Sequence, residues 1–121
     1  MSHSDHDEGH PTLRKIRQWF PSLPEAVELE TWGHPTFRAG KKIFAIFADH
    51  EGEPVLNIKQ RPEQQEVWLR DMRFYFPPYT GHKGWIGARV DLLEWKELEP
   101  PLFDAYRQVA LKRMLKELDN A

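Results

Sequence analysis

Apolar residues along this chain switch between a spacing near four and a spacing near two. Leu13, Ile16 and Phe20 recur at i, i+3 and i+7 behind Pro11, which predicts a helix over about 11–20. Arg14, Lys15 and Arg17 lie off its apolar face, and Pro21-Ser22-Leu23-Pro24 ends it. From Ala26 the period falls to two. Val27, Leu29 and Thr31 alternate with Glu28, Glu30 and Trp32, a strand over 26–32, although Pro24-Glu25-Ala26 would also start a short helix there. The centre of the pattern is the run TWGHPTFRAGKKIFAIFA at 31–48. Gly33 and Pro35 bend the chain, 36–38 begins a strand, Ala39-Gly40 turns it and 42–48 returns, which makes a β-hairpin. Phe44, Ile46 and Ala48 alternate with Ile43, Ala45 and Phe47, so the returning strand is apolar on both sides and expected to be central.

An acidic turn at 49–53 leads to a strand over 55–61, with Leu56 and Ile58 on one face and Asn57, Lys59 and Arg61 on the other. Pro62 opens a second helix to about Asp71. A short strand over 73–79 is stopped by Pro77-Pro78. The glycine-containing loop 79–84 enters a last strand over 85–90, sending Ile86, Ala88 and Val90 one way and Trp85, Gly87 and Arg89 the other. Asp91 with Glu94 predicts a capping box for a short helix through Leu98. Pro100-Pro101 restarts the chain as a final helix to about 118, with Leu102, Phe103, Tyr106, Ala110, Met114 and Leu118 on its covering face. The expected fold is α+β and two-layered, an antiparallel sheet covered by helices in the order α-β-β-β-α-β-β-α(-α).

Composition narrows the function classes. At 121 residues and 40% apolar content the chain can build one core, expected over 11–121 behind a polar, His- and acid-rich tail at 1–10. The tail's His3, His6 and His10 give a metal no fixed geometry, and neither a metal site nor a cofactor is expected. With no cysteine, disulfide, Fe–S and thiol chemistry are excluded. No apolar run reaches the roughly 18 residues of a membrane span, so a cytoplasmic monomer is expected. The net charge of −2 hides a segregation. Residues 31–48, 54–61 and 73–90 hold Arg38, Lys41, Lys42, Lys59, Arg61, Arg73, Lys83 and Arg89 and no carboxylate. That leaves nine basic against nineteen acidic residues elsewhere. A basic sheet sits in an acidic frame, either as a binding surface or as protection of strand edges.

These segments resemble the MmcQ/YjbR family of small bacterial proteins. The matching pieces are Gly33-His34-Pro35-Thr36-Phe37-Arg38, Lys42-Ile43-Phe44-Ala45, Leu56-Asn57-Ile58-Lys59, Pro78-Tyr79 through Gly84-Trp85-Ile86, Trp95-Lys96-Glu97-Leu98 and Tyr106. The resemblance implies a fold similar to secretion chaperones and frataxin, and a label of DNA binding through a "double wing". Many relatives carry Ser-Tyr where this chain has Ala105-Tyr106. The frataxin likeness would imply iron on an acidic ridge, but the first helix carries Arg14, Lys15 and Arg17, so iron is not carried over.

An enzyme is not expected. Serines occur only at 2, 4 and 22, and no phosphate-binding glycine loop or paired-carboxylate cleft is legible. The candidate nucleic-acid surface is Arg38, Lys41, Lys42, Lys59, Arg61, Lys83, Trp85 and Arg89, with cations on phosphates and Trp85 or Tyr79 offered to a base. Its binding to DNA should be weak and salt-dependent. The alternatives are a protein partner, or a small acidic ligand in a pocket formed by Trp32, His34, Arg38, Tyr79 and His82. Whether Arg38 and Lys59 converge or spread over an open face separates these readings.

Overall fold

The computed structural model of the protein describes residues 9–120. Its first helix, α1 (Pro11–Trp19), is capped by His10, whose Nδ1 accepts from the Thr12 backbone N–H at 3.1 Å. That leaves Nε2 to donate to Asp91 Oδ1, 2.8 Å away. His10 therefore belongs to the domain, although the tail was expected to extend to it; residues 1–8 lie outside the described residues. Four strands follow: β1 (Ala26–Thr31), β2 (His34–Ala39), β3 (Lys42–His50) and β4 (Glu53–Ile58). Then come α2 (Pro62–Trp68), β5 (Phe74–Tyr75), β6 (Ile86–Arg89), α3 (Trp95–Val109) and α4 (Lys112–Asp119). The strands form one six-stranded antiparallel sheet in the order β1-β2-β3-β4-β6-β5. The class is α+β as expected. There is one strand more than the expected order, because the segment at 26–31, both hairpin arms and 53–58 each pair as full strands before α2.

Register decides which side chains meet the helices. Phe37, Ala45, Ile58 and Ile86 share one cross-strand row, and Phe47, Leu56, Ala88 and Phe74 share another. All are buried against Leu13 and Ile16 of α1 and Leu98, Leu102, Ala105 and Tyr106 of α3. Simple alternation fails in β3. Phe37 pairs with Ala45 but Arg38 pairs with Ile43, so Phe44 is an extra residue in the ladder, a β-bulge. Phe44, Ala45 and Phe47 are fully buried on the helix side, while Ile43, Ile46 and Ala48 are half-buried on the other. The expected division of this strand is thereby corrected, since one inserted residue flips the side-chain parity of everything on one side of it.

The last helices also depart from expectation. Asp91 does not cap; Glu94 and Glu97 form the box, and α3 runs through Pro100 and Pro101 to Val109. Leu98, Pro101 and Leu102 are all buried, and that packing holds the helix together where two backbone donors are missing. The predicted continuation to 118 breaks at Ala110, which is extended with ψ 143. The corner turns α4 back under the β2–β3 turn. There Met114 packs so closely that a Cβ on Gly40 would lie 2.9 Å from its methyl carbon.

Arg73 ties the β5 edge to α3. It donates to Asp71 Oδ2 at 2.8 Å and lies 2.7 Å from Glu97 Oε2. The hydrogen bond from its side chain, then that from its backbone N–H, lowers the Asp71 carboxyl to about 2. A depressed carboxyl stabilises the fold above its ordinary value of 3.8 and loses that contribution as pH falls towards 2. Arg73→Met is expected to return the Asp71 titration towards 3.8, read by carboxyl-carbon NMR between those limits.

Candidate functional site

The antiparallel registers sort the loops to two ends of the sheet. Ala26, Ala39 and Lys42 lie in line at one end, and Thr31 with His34 and His50 with Glu53 lie at the other. The β2–β3 turn with Lys41 and Lys42 is at the first end. Strand β4 finishes there, where the Lys59 N–H donates to the Phe44 carbonyl at 3.0 Å, and β6 begins there at Ile86. Hence Lys59, Arg61, His82 and Lys83 join Lys41 and Lys42 at one end of the molecule. Arg38 stands one register step inside it, opposite Ile43. Six of the predicted site residues are thus brought to one rim by strand order, and Arg89 is not; it pairs with Val55 nearer the other end.

Ion pairing follows the charge segregation only in part: Arg73 of the acid-free segments is paired, and Arg14, Lys15, Arg70, Lys112 and Lys116 outside them make no ion pair among the described residues. Arg17, Arg73, Arg107 and Arg113 each pair with a carboxylate. Lys41, Lys42, Lys59, Arg61 and Lys83 make no ion pair among the described residues, and neither do Arg38 and Arg89. Among the described residues Arg38 Nη2 reaches Thr31 Oγ1 at 3.5 Å, and its buried Nε has no hydrogen-bond partner. Arg89 lies over the Tyr75 ring at 5.0 Å. That ring stacks on His50 at 4.3 Å and covers Gly87 so closely that a Cβ there would sit 2.3 Å from it. Burial pushes the Tyr75 hydroxyl up to about 12, so it stays a neutral donor.

Two expectations about aromatic residues separate. Trp85 is only 7% exposed and cannot offer its ring to a base; its carbonyl accepts from Gln65 Nε2 at 2.8 Å. Tyr79, 87% exposed in the loop, remains available. The expected pocket does not form. Trp32, 93% exposed, sits with His34 at the far end of edge strand β1, whereas Tyr79 and His82 are at the opposite end beside β5 and β6. The two pairs occupy diagonally opposite corners of the sheet. Of the three cavities described, none is lined by Arg38 or Lys59.

Sequence reasoning missed the residues that position this rim. Gln65 donates to the Gly81 carbonyl at 2.6 Å as well as to Trp85, and so fixes the loop. Buried Gln60 donates to the Pro101 carbonyl at 3.0 Å and accepts from Trp68 Nε1 at 3.1 Å, which anchors the end of β4 to α3 and α2. Glutamines in a polar run leave no trace in a hydrophobic pattern. Among the described residues no group of three or more His, Asp or Glu is placed to hold a metal, and no helix is long and apolar enough to cross a membrane.

The model of the YjbR family matches residues 21–108. Among solved structures, the chain is similar to the Deinococcus radiodurans protein DR2400, whose crystal structure carries the DUF419 domain. The TM-score is 0.70 at 19% identity, over 88% of this chain and 87% of that one. That likeness concerns the fold. A comparison with curated proteins finds no match.

Proposed function

This chain belongs to the YjbR family, and we propose that it is a non-enzymatic, monomeric binding domain that contacts nucleic acid through the basic rim. One observation carries the reading: five cations on the strand ends and loops, Lys41, Lys42, Lys59, Arg61 and Lys83, meet at one end without a carboxylate partner among the described residues. Arg14, Lys15, Arg70, Lys112 and Lys116 also lack an ion pair among the described residues, so what sets these five apart is their meeting at one end of the sheet. Cations gathered in this way, held by short turns on a rigid sheet, suit a regular array of phosphates. With Trp85 buried, Tyr79 is the aromatic residue left for stacking, and duplex DNA read through its backbone fits better than a single strand read through its bases.

Fluorescence anisotropy with labelled duplex and single-stranded DNA at about 50 and 200 mM salt tests this. Four or so phosphate contacts predict an affinity loss of about 10²–10³-fold across that range. In Lys41→Glu/Lys42→Glu the salt slope should fall by about 2. Absence of binding at the lower salt, or binding indifferent to the double substitution, would overturn the reading and favour a protein partner.

A further inference from the structure

The break at Ala110 leaves a cleft of about 410 Å³ between the β2–β3 turn and the α3–α4 corner. This volume lies within the ~300–1,000 Å³ common for ligand sites. Its lining divides by chemistry. Ala39, Val109 and Met114, all buried, and half-exposed Leu111 form an apolar floor and wall. Lys41, Lys42 and Arg113 stand at the edge, and the single carboxylate, Glu25, is engaged by both Nη atoms of Arg113. The two lysines are exposed, without an ion pair among the described residues, and on a turn whose position is fixed, since the Gly40 N–H donates to the Glu25 carbonyl at 3.0 Å. Leu111 at the start of α4 supplies no side-chain cap, so the first amides of that helix add a partial positive charge on the same side.

An apolar pocket with a net positive rim discriminates by two features at once. A fully polar anion gains nothing from the floor, and a neutral apolar molecule gains nothing from the lysines. We infer that this cleft binds small amphipathic anions, with the aliphatic or aromatic body on Val109, Leu111 and Met114 and the carboxylate or phosphate head on Lys41 and Lys42. Arg113 shapes the rim, and its Glu25 partner offsets its charge, which leaves Lys41 and Lys42 as the net positive groups. The inference does not rest on nucleic-acid binding, for which the apolar lining has no use.

The chain carries methionine only at positions 1, 72 and 114, so methyl-labelled methionine gives a direct probe. Met114 lines the cleft, while Met72 is exposed and serves as the internal reference. Titration of the full chain with decanoate, decan-1-ol and acetate, read by carbon–proton NMR, should move the Met114 methyl saturably with decanoate and leave Met72 in place. Decan-1-ol and acetate should each bind at least about tenfold more weakly. Lys41→Gln/Lys42→Gln, at exposed positions, should weaken decanoate by about tenfold or more. Leu111→Glu should do the same from the opposite wall. No movement of Met114 with decanoate into the millimolar range, equal binding of the alcohol, or affinity unchanged in both variants would overturn the inference. DNA anisotropy on the same samples separates this outcome from failure of the phosphate-binding reading.

Discussion

Phe44→Ala should lower stability by about 3–5 kcal/mol, a fall in Tm of roughly 10–20 °C for a domain of this size. The ring is fully buried and meets Tyr106 edge-on, with centroids 5.8 Å apart at 85°, where β3 crosses α3. Truncation removes apolar area and leaves a hole that the rigid central strand cannot close. It also strips the aromatic partner from Tyr106, whose hydroxyl donates to the Pro24 carbonyl at 2.7 Å and so holds the approach to β1. The neighbouring Ile43→Ala, half-buried on the uncovered face, is expected to cost only about 1 kcal/mol. Urea or thermal denaturation of both variants measures the contrast. Equal losses would mean that Phe44 and Ile43 are not divided by the bulge.

The contrast also marks where the sequence stops informing. Periodicity reports which residues need burial, so α1, the hairpin and the α+β class were legible from Leu13, Ile16 and the run at 42–48. A bulge has no such signature. Either parity of an all-apolar strand satisfies the pattern, and the choice is made by what the sheet packs against. The capping residue of α3 was misplaced because Asp91 is the favoured type of N-cap and Glu94 is not, yet Asp91 lies in a 3-10 turn at Val90–Leu92 and the helix starts at Trp95, which packs on Trp19 at 5.8 Å.

The site was legible as a composition but not as a place. Acid-free segments pointed to Lys41, Lys59 and Lys83, yet nothing local says that the loop at 79–84 returns against the end of β4, at the same end of the sheet as the β2–β3 turn. That follows from the crossover that inserts β6 between β4 and β5. The same crossover separates Trp32 from Tyr79 and dissolves the expected pocket. The cleft at the α3–α4 corner was invisible because it depends on a helix break at Ala110 that neither proline nor glycine announces.

Gly84→Ala should cost on the order of 3 kcal/mol, about 1–3 from backbone strain and about 1–3 from overpacking. Gly84 has φ +99, and a Cβ there would lie 2.5 Å from the Gln60 carbonyl and 3.2 Å from the Pro62 nitrogen. Both obstacles are backbone, held by the Gln60 side chain's bond to Pro101 and by the start of α2, so neither can yield cheaply. Gly52→Ala is the control: φ is +81 but nothing lies within 4 Å, so only strain is added, about 1 kcal/mol. The difference between the two variants isolates the close approach of the Lys83 loop to the end of β4. If that approach is what assembles the rim, Gly84→Ala will weaken DNA binding at low salt under conditions where it is still folded, and Gly52→Ala will not. Similar stability losses for the two would mean that the loop is free to move away from Lys59 and Arg61, and the rim would then be a set of independent charges rather than a preorganised surface.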